Sequence, residues 1–274
     1  MSLSTSPKAI CQRYQIKPLR RRGQNFLVNE GIIKKILQAA ELNKNDNVLE
    51  IGPGLGILTK ELAKEVKEVV AVEIDRQLVR VLENELRDIK NVKVVQEDIR
   101  NIKLSDYGLE KYKIVANLPF NITGLVFKKF LTGLIKPEMI VVMLQKEAGE
   151  RIIAYPPRMS KLSIMIQFYG QPKIISNIKK DNFWPKPKVD SVILKIKPFS
   201  SPVYQDEDMF FQIVRAGFLS PRKYLLNNLE KGAIMNKEKG KKVFEEISLD
   251  KKIRAQELSV EDWIKLVKKV KEKE

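Results

Sequence analysis

Histidine is absent from the chain, and cysteine occurs once, at Cys11. The first absence removes histidine-based triads, histidine metal sites and imidazole proton shuttles. The second rules out disulfides within the chain and cysteine-rich zinc sites, and no thiol sits in a recognisable catalytic motif. No run approaches the roughly 18–20 apolar residues of a membrane-spanning helix. The N-terminal stretch mixes Pro7, Lys8, Gln12 and Arg13 without an apolar centre, so it reads as no secretory signal. A cytoplasmic location and metal-free chemistry are expected. That chemistry has to run on carboxylates, amides, backbone groups and aromatic rings.

Positive charge, by contrast, is abundant. Lysine and arginine number 51 against 34 acidic residues, a net charge of +17 on 274 residues. Such an excess favours a polyanionic partner, because each phosphate neutralised releases counterions. A merely lysine-rich surface is the alternative. With 43% hydrophobic residues, the chain can bury one sizeable core and a smaller annex.

Residues 1–21 read as a basic arm running into Arg20, Arg21 and Arg22. A helix follows, with Asn29 as its N-cap and Ile32, Ile33, Ile36 and Leu37 at helical spacing. Apolar runs at 47–51, 69–73, 92–95, 113–117 and 139–144 alternate with helical patterns at 57–66, 76–88 and 122–132. Near-continuous Val/Ile runs between helices predict a parallel sheet covered on both faces. Beyond residue 150, the runs 163–169 and 191–197 read as strands that pair antiparallel. From about 200 only helices are predicted, at 208–219, 222–230, 238–246 and 257–270. Pro198-Phe199-Ser200-Ser201-Pro202 marks the boundary. Three parts are therefore expected: the arm at 1–21, an α/β domain at 22–199 and a helical domain at 200–274.

Two motifs carry chemistry. Gly52-Pro53-Gly54-Leu55-Gly56 follows a strand and opens a helix, where glycines admit a ligand close to the backbone and the helix offers free amides. Glu73 ends the next strand, placed to accept ribose hydroxyls. Both features also suit a dinucleotide site, or a plain tight turn. The Gly-x-Gly-x-Gly spacing, and Asp98 after the third strand in position for an adenine amino group, favour S-adenosylmethionine (SAM) over a dinucleotide.

Asn117-Leu118-Pro119-Phe120 follows the fourth strand. An adenine amino nitrogen is a poor nucleophile, its lone pair being delocalised into the ring. Acceptors at the Asn117 side-chain oxygen and the Leu118 carbonyl, the latter aimed by Pro119, would localise that lone pair for in-line attack on a methyl group. Phe120 would stack on the base. Phe183, in Phe183-Trp184-Pro185-Lys186-Pro187, is a candidate second stacking face, or simply a packed residue in a proline-stiffened loop. A base inside a duplex is unreachable, so an exposed or flipped base is expected.

These residues resemble the small-subunit rRNA adenine N6,N6-dimethyltransferases, the KsgA family, over essentially the whole chain. The resemblance is carried by Gly23-Gln24-Asn25-Phe26-Leu27, the stretch 49–59, Val72-Glu73-Ile74-Asp75, the stretch 117–123, Gln145-Lys146-Glu147 and the stretch 183–191. It implies a Rossmann-like SAM-dependent methyltransferase fold, with a mostly parallel seven-stranded sheet, an antiparallel edge and a small all-α C-terminal domain. It further implies SAM held by Asn25, Leu27, Gly52, Gly54, Glu73, Asp98 and Asn117, and adenine gripped by Asn117, Leu118 and Phe120. The implied reaction dimethylates N6 of two adjacent adenines near the 3′ end of small-subunit rRNA, alongside a role in subunit biogenesis. The implied partner is a small-subunit precursor, the free protein being a monomer.

The Erm-type large-subunit methyltransferases share the catalytic half and remain an alternative, as does an assembly factor whose catalysis is dispensable. Phe218-Leu219-Ser220-Pro221-Arg222-Lys223-Tyr224-Leu225 resembles the small-subunit signature. Arg222 and Lys223, like Arg20, Arg21 and Arg22, would contact rRNA, unless this basic run is a solvated helix end. Pro221 stands where the family usually has arginine, Phe120 where tyrosine is commoner, and the segment 154–161 departs from the family's loop.

Overall fold

In the computed structural model, the described residues are 6–19, 23–119 and 122–273. Arg20, Arg21, Arg22 and Phe120 lie outside them.

Part of the N-terminal arm is folded as a helix, where the sequence reading predicts none. Ser6 accepts a hydrogen bond from the Ala9 N–H (3.3 Å) and caps α1 (Pro7–Arg13). Ile10 and Cys11 are buried in a cluster with Phe26, Leu55 and Leu78. Burial pushes the Cys11 thiol up to about 11, so it carries no thiolate at neutral pH. Glu85 anchors the end of this helix, accepting from Arg13 (2.9 Å), the Tyr14 hydroxyl (3.0 Å) and Lys60 (2.8 Å).

β1 (Phe26–Leu27) leads into α2 (Glu30–Ala40), where Asn29 Oδ1 accepts the Gly31 N–H at 2.8 Å, as a cap should. Next come β2 (Asn47–Ile51), α3 (Ile57–Glu65), β3 (Glu68–Glu73), α4 (Arg76–Glu85) and β4 (Val92–Gln96), then β5 (Lys113–Asn117), α5 (Thr123–Thr132) and β6 (Met139–Gln145). All five strands predicted in this half are present. β2 pairs in parallel with β3 and β5, β3 with β4, and β5 with β6. Val48, Leu49, Val69, Val70, Ile114, Val115, Ile140 and Val141 are fully buried, as a sheet covered on both faces requires.

The chain continues through α6 (Lys146–Ile152), α7 (Lys161–Tyr169), β7 (Gly170–Ile178), β8 (Phe183–Trp184) and β9 (Ser191–Pro198). The strand predicted at 163–169 is a helix. Ser160 and Ser163 form a capping box, Ser160 N–H donating to Ser163 Oγ (2.7 Å) and Ser163 N–H to Ser160 Oγ (3.2 Å). The alternation Leu162, Ile164, Ile166, Phe168 mimicked a strand, but these local bonds start a helical turn. β7 follows instead and carries Pro172, tolerable because this strand lies at the sheet edge. The sheet order is β4-β3-β2-β5-β6-β9-β7, with β9 antiparallel to β6. β1 and β8 form a separate antiparallel ribbon. The seven strands, mostly parallel with an antiparallel member, match the expected architecture.

The final helices are α8 (Glu207–Gly217), α9 (Leu225–Lys231), α10 (Lys237–Glu246) and α11 (Val260–Lys271). α9 begins three residues later than predicted, after the turn that carries Pro221. The chain divides into two compact units, Met1–Gly149 with Pro172–Pro198, and Glu150–Gln171 with Phe199–Glu274. The second thus takes in α7 as well as the last four helices. Its core holds the rings of Phe168 and Phe210, 4.4 Å apart, and of Phe218 and Trp263, 6.0 Å apart.

In the first unit, Lys113 is buried within the sheet. Its ammonium donates to the Glu41 carbonyl (2.6 Å) and to Asp46 Oδ2 (2.9 Å), with side chains only 10% and 9% exposed. Lys113→Met is expected to cost about 3 kcal/mol, because it strands the Asp46 carboxylate. A lowered urea midpoint, largely recovered in Lys113→Met/Asp46→Asn, is the check.

Candidate functional site

β2 is flanked by β3 on one side and β5 on the other, and the chain reverses its order there. Open α/β sheets bind ligands at the carboxyl ends of such strands. A cavity of about 500 Å³ opens at this point, within the first unit, walled by the segments that follow β2, β3, β4 and β5 and by residues 23–27.

The loop after β2 takes the conformation its glycines permit. Gly52 and Gly54 have φ of +66° and +62°, and a Cβ on Gly54 would stand 3.0 Å from the Phe26 ring. A side chain there is strained and would also press on the ring that closes the cavity. The Gly52 N–H donates to the Val72 carbonyl (2.9 Å), tying the loop to β3.

Four carboxylates line the cavity, one of them Glu97, whose Oε1 accepts the Asp98 N–H at 3.0 Å. Glu73 is buried, and its oxygens accept the Asp75 N–H (2.9 Å) and the Gly54 N–H (3.3 Å). Burial raises its pKa, and those two N–H groups act against the rise. Asp98 Oδ1 accepts the Arg100 N–H (2.9 Å), and Oδ2 accepts the Arg100 guanidinium at 2.9 and 2.5 Å. Arg100 holds the carboxyl below its usual range.

Glu50, the fourth, was not singled out from sequence. It is 1% exposed, its Oε2 has no hydrogen-bond partner, and burial pushes its pKa up to about 8, Glu73 adding to the rise. The available signal was an acidic residue in the otherwise apolar Val48-Leu49-Glu50-Ile51. Gln24 was also missed: it lines the cavity and donates to Asp75 Oδ2 at 3.3 Å.

Asn117 ends β5 with its amide over residue 25. Nδ2 donates to the Asn25 carbonyl (3.1 Å), which leaves Oδ1 as an acceptor. The Leu118 N–H is tied to the Met143 carbonyl (3.0 Å) and the Ile122 N–H to the Pro119 carbonyl (3.3 Å). Leu118 buries its side chain, leaving only its peptide group for recognition. Asn25, Leu27, Gly52, Gly54, Glu73, Asp98, Asn117 and Pro119 all wall the one cavity.

Phe183 does not. It pairs with Leu27 across the ribbon, is 6% exposed and belongs to the buried cluster of Leu27, Ile33 and Ile178. The ribbon register turns the ring into the core, which favours the packing alternative over a second stacking face. Arg222 and Lys223 are exposed on the turn before α9, in the second unit. Asn228 holds that turn by donating to the Gly217 (2.6 Å) and Ser220 (3.0 Å) carbonyls.

A parallel sheet of this order, a glycine turn after β2 and acidic residues after successive strands define a Rossmann-like methyltransferase. Among solved structures, the dimethyladenosine transferase of Plasmodium falciparum is similar, at 26% identity and a TM-score of 0.79 over 90% of this chain and 98% of that one. The 23S rRNA methyltransferase ErmE shares the fold, at 24% identity and a TM-score of 0.74 over 90% of this chain and 100% of that one. Residues 17–272 match the ribosomal RNA adenine dimethylase family, to which the chain belongs. It is 38% identical to the ribosomal RNA small subunit methyltransferase A of Dehalococcoides mccartyi over 97% of this chain and 92% of that protein. The protein of the same name from Clostridium botulinum is 37% identical over 94% of this chain and 96% of its own length.

The cofactor of this family is SAM. The cavity fits it on its own chemistry: a glycine cradle that a Cβ would obstruct, and a buried carboxylate oxygen without a donor.

Proposed function

We propose that the chain transfers methyl groups from SAM to N6 of two adjacent adenines near the 3′ end of small-subunit rRNA, dimethylating both. The observation that carries this is Asn117, whose amide is oriented by the Asn25 carbonyl so that Oδ1 remains an acceptor at the cavity. SAM supplies a methyl group activated on a sulfonium.

SAM offers three sets of donors, and of the four carboxylates that wall the cavity Glu97 already accepts the Asp98 N–H (3.0 Å). Glu73 takes the ribose hydroxyls and Asp98 the adenine amino group, which leaves Glu50, whose Oε2 has no hydrogen-bond partner, for the ammonium end. Asn25, Leu27, Gly52 and Gly54 close around the rest. The target amine donates to Asn117 Oδ1 and to the Leu118 carbonyl, whose direction Pro119 restricts. Its lone pair then points along the transfer axis, and the surplus proton leaves to water. Phe120 stacks on the base. Arg20, Arg21 and Arg22 at the end of the arm, with Arg222 and Lys223 in the second unit, take rRNA phosphates.

The small-subunit assignment, over the Erm-type alternative, is supported by relatives at 37–38% identity named for the small subunit. The free protein is taken to be monomeric and to work in the cytoplasm on a small-subunit precursor. Incubation with labelled SAM and unmodified small subunits, with large subunits in parallel, is expected to give dimethyladenosine on the small subunit alone. Product on the large subunit only would overturn the assignment. Subunit binding is expected to weaken steeply with salt, log Kd rising linearly with log salt concentration.

A further inference from the structure

We propose that the loop at 154–160, in the second unit, is an additional contact for unpaired rRNA, Tyr155 stacking on a base while Arg158 and Lys161 meet the flanking phosphates. This rests on the reading that the substrate is small-subunit rRNA.

Tyr155 is 74% exposed, among the most exposed large apolar side chains in the described residues. Its backbone, however, is pinned on both sides. Gln167 Nε2 donates to the carbonyls of Ile152 (3.1 Å) and Ala154 (2.9 Å). The Arg158 N–H closes the turn on the Tyr155 carbonyl (2.9 Å), and the Met159 N–H donates to the Gln256 carbonyl (3.0 Å). Met159 is buried, and the Ser160–Ser163 capping box then starts α7.

An aromatic ring with no packing role, on a backbone held by four hydrogen bonds, is preorganised. Stacking on it orders little beyond the ring's own two torsions, so little entropy opposes binding. Arg158 and Lys161 are exposed, and neither is paired with a carboxylate among the described residues. A planar face between two unneutralised cations suits a single-stranded nucleotide, whatever the base, better than it suits an acidic or apolar protein surface. The overall charge of +17 agrees with such a partner.

The test measures binding to unmodified small subunits, and to protein-free small-subunit rRNA, across a salt series. Tyr155→Ala is expected to weaken both by on the order of tenfold without changing the salt slope, and Tyr155→Phe to restore wild-type affinity. Arg158→Gln is expected to lower the slope by about one. S-adenosylhomocysteine affinity and melting temperature should not move, since the loop lies outside the cofactor cavity. Wild-type binding by Tyr155→Ala, or no restoration by phenylalanine, would overturn the proposal. Weakening on subunits but not on protein-free rRNA would do so too, by assigning the contact to a ribosomal protein. Methyl transfer by the wild-type chain to the same subunits tests the underlying function separately.

Discussion

Replacing Asn117 with alanine is expected to slow methyl transfer by about 10²–10³-fold, the usual loss when one preorganised hydrogen-bonding group is removed from a reacting centre. Two roles vanish together. In the proposed mechanism Oδ1 is the acceptor that localises the amine lone pair, and Nδ2 ties β5 to the Asn25 carbonyl at 3.1 Å, holding the segment 23–27 over the cavity. The first role belongs to the transition state and shows in kcat; the second shows in cofactor affinity. S-adenosylhomocysteine binding is therefore expected to weaken by less than about tenfold, as for loss of a single hydrogen bond. Asn117→Asp separates the roles further. A carboxylate keeps an acceptor but has no N–H for the Asn25 carbonyl, so two acceptors face each other and the segment is pushed away. Single-turnover transfer, with calorimetric titration of S-adenosylhomocysteine, is the check; a kcat within threefold of wild type in Asn117→Ala would sink the clamp.

The second large effect is expected at Glu50, in stability rather than rate. Its pKa in the folded chain is about 8, raised by burial from the model-peptide value of 4.5. Between those values the folded state binds a proton that the unfolded state has lost. Stability of the cofactor-free protein therefore falls as pH rises through this window, by up to about 1.4 kcal/mol per pH unit, and levels off above it. Glu50→Gln cannot ionise, so it removes this dependence. The variant is expected to melt with wild type near pH 4.5 and several degrees higher at pH 8.

Cofactor affinity moves the other way. If Glu50 takes the ammonium of SAM, binding expels its proton, so wild-type affinity rises with pH up to about 8 while the glutamine variant binds weakly throughout. Scanning calorimetry at pH 5 and pH 8, and proton release on titrating S-adenosylhomocysteine in buffers of different ionisation enthalpy, measure the two halves. A melting temperature at pH 8 unchanged by the substitution would refute the first.

Much of this molecule is written locally. The Val/Ile runs of β2 to β6, the Asn29 cap, the three glycines and the acids ending β3 and following β4 are decided by residues within a few positions of one another, so patterning and spacing show them. The total lack of histidine and the lone Cys11 settle by themselves which chemistries are closed to the chain. Reading along the chain failed once at a local cap and otherwise where distant partners decided. Residues 163–169 alternate like a strand yet form α7, because Ser160 and Ser163 cap each other. Phe183 looked free to stack but is buried by its register with Leu27, 156 positions earlier in the chain. Cys11 and Ile10 looked like tail residues until Leu55 and Leu78 supplied a surface to bury them.

Glu50 makes the same point most sharply. Its identity is plain in the sequence, but its protonation depends on β3 and α3 closing over it, and no local pattern carries that burial. Composition and short-range order were enough to show the parallel strands β2 to β6, the glycine turn after β2 and the segment after β5 for which the clamp is proposed. Only tertiary structure decided which side chains meet water, because desolvation is set by whatever packs from elsewhere in the chain.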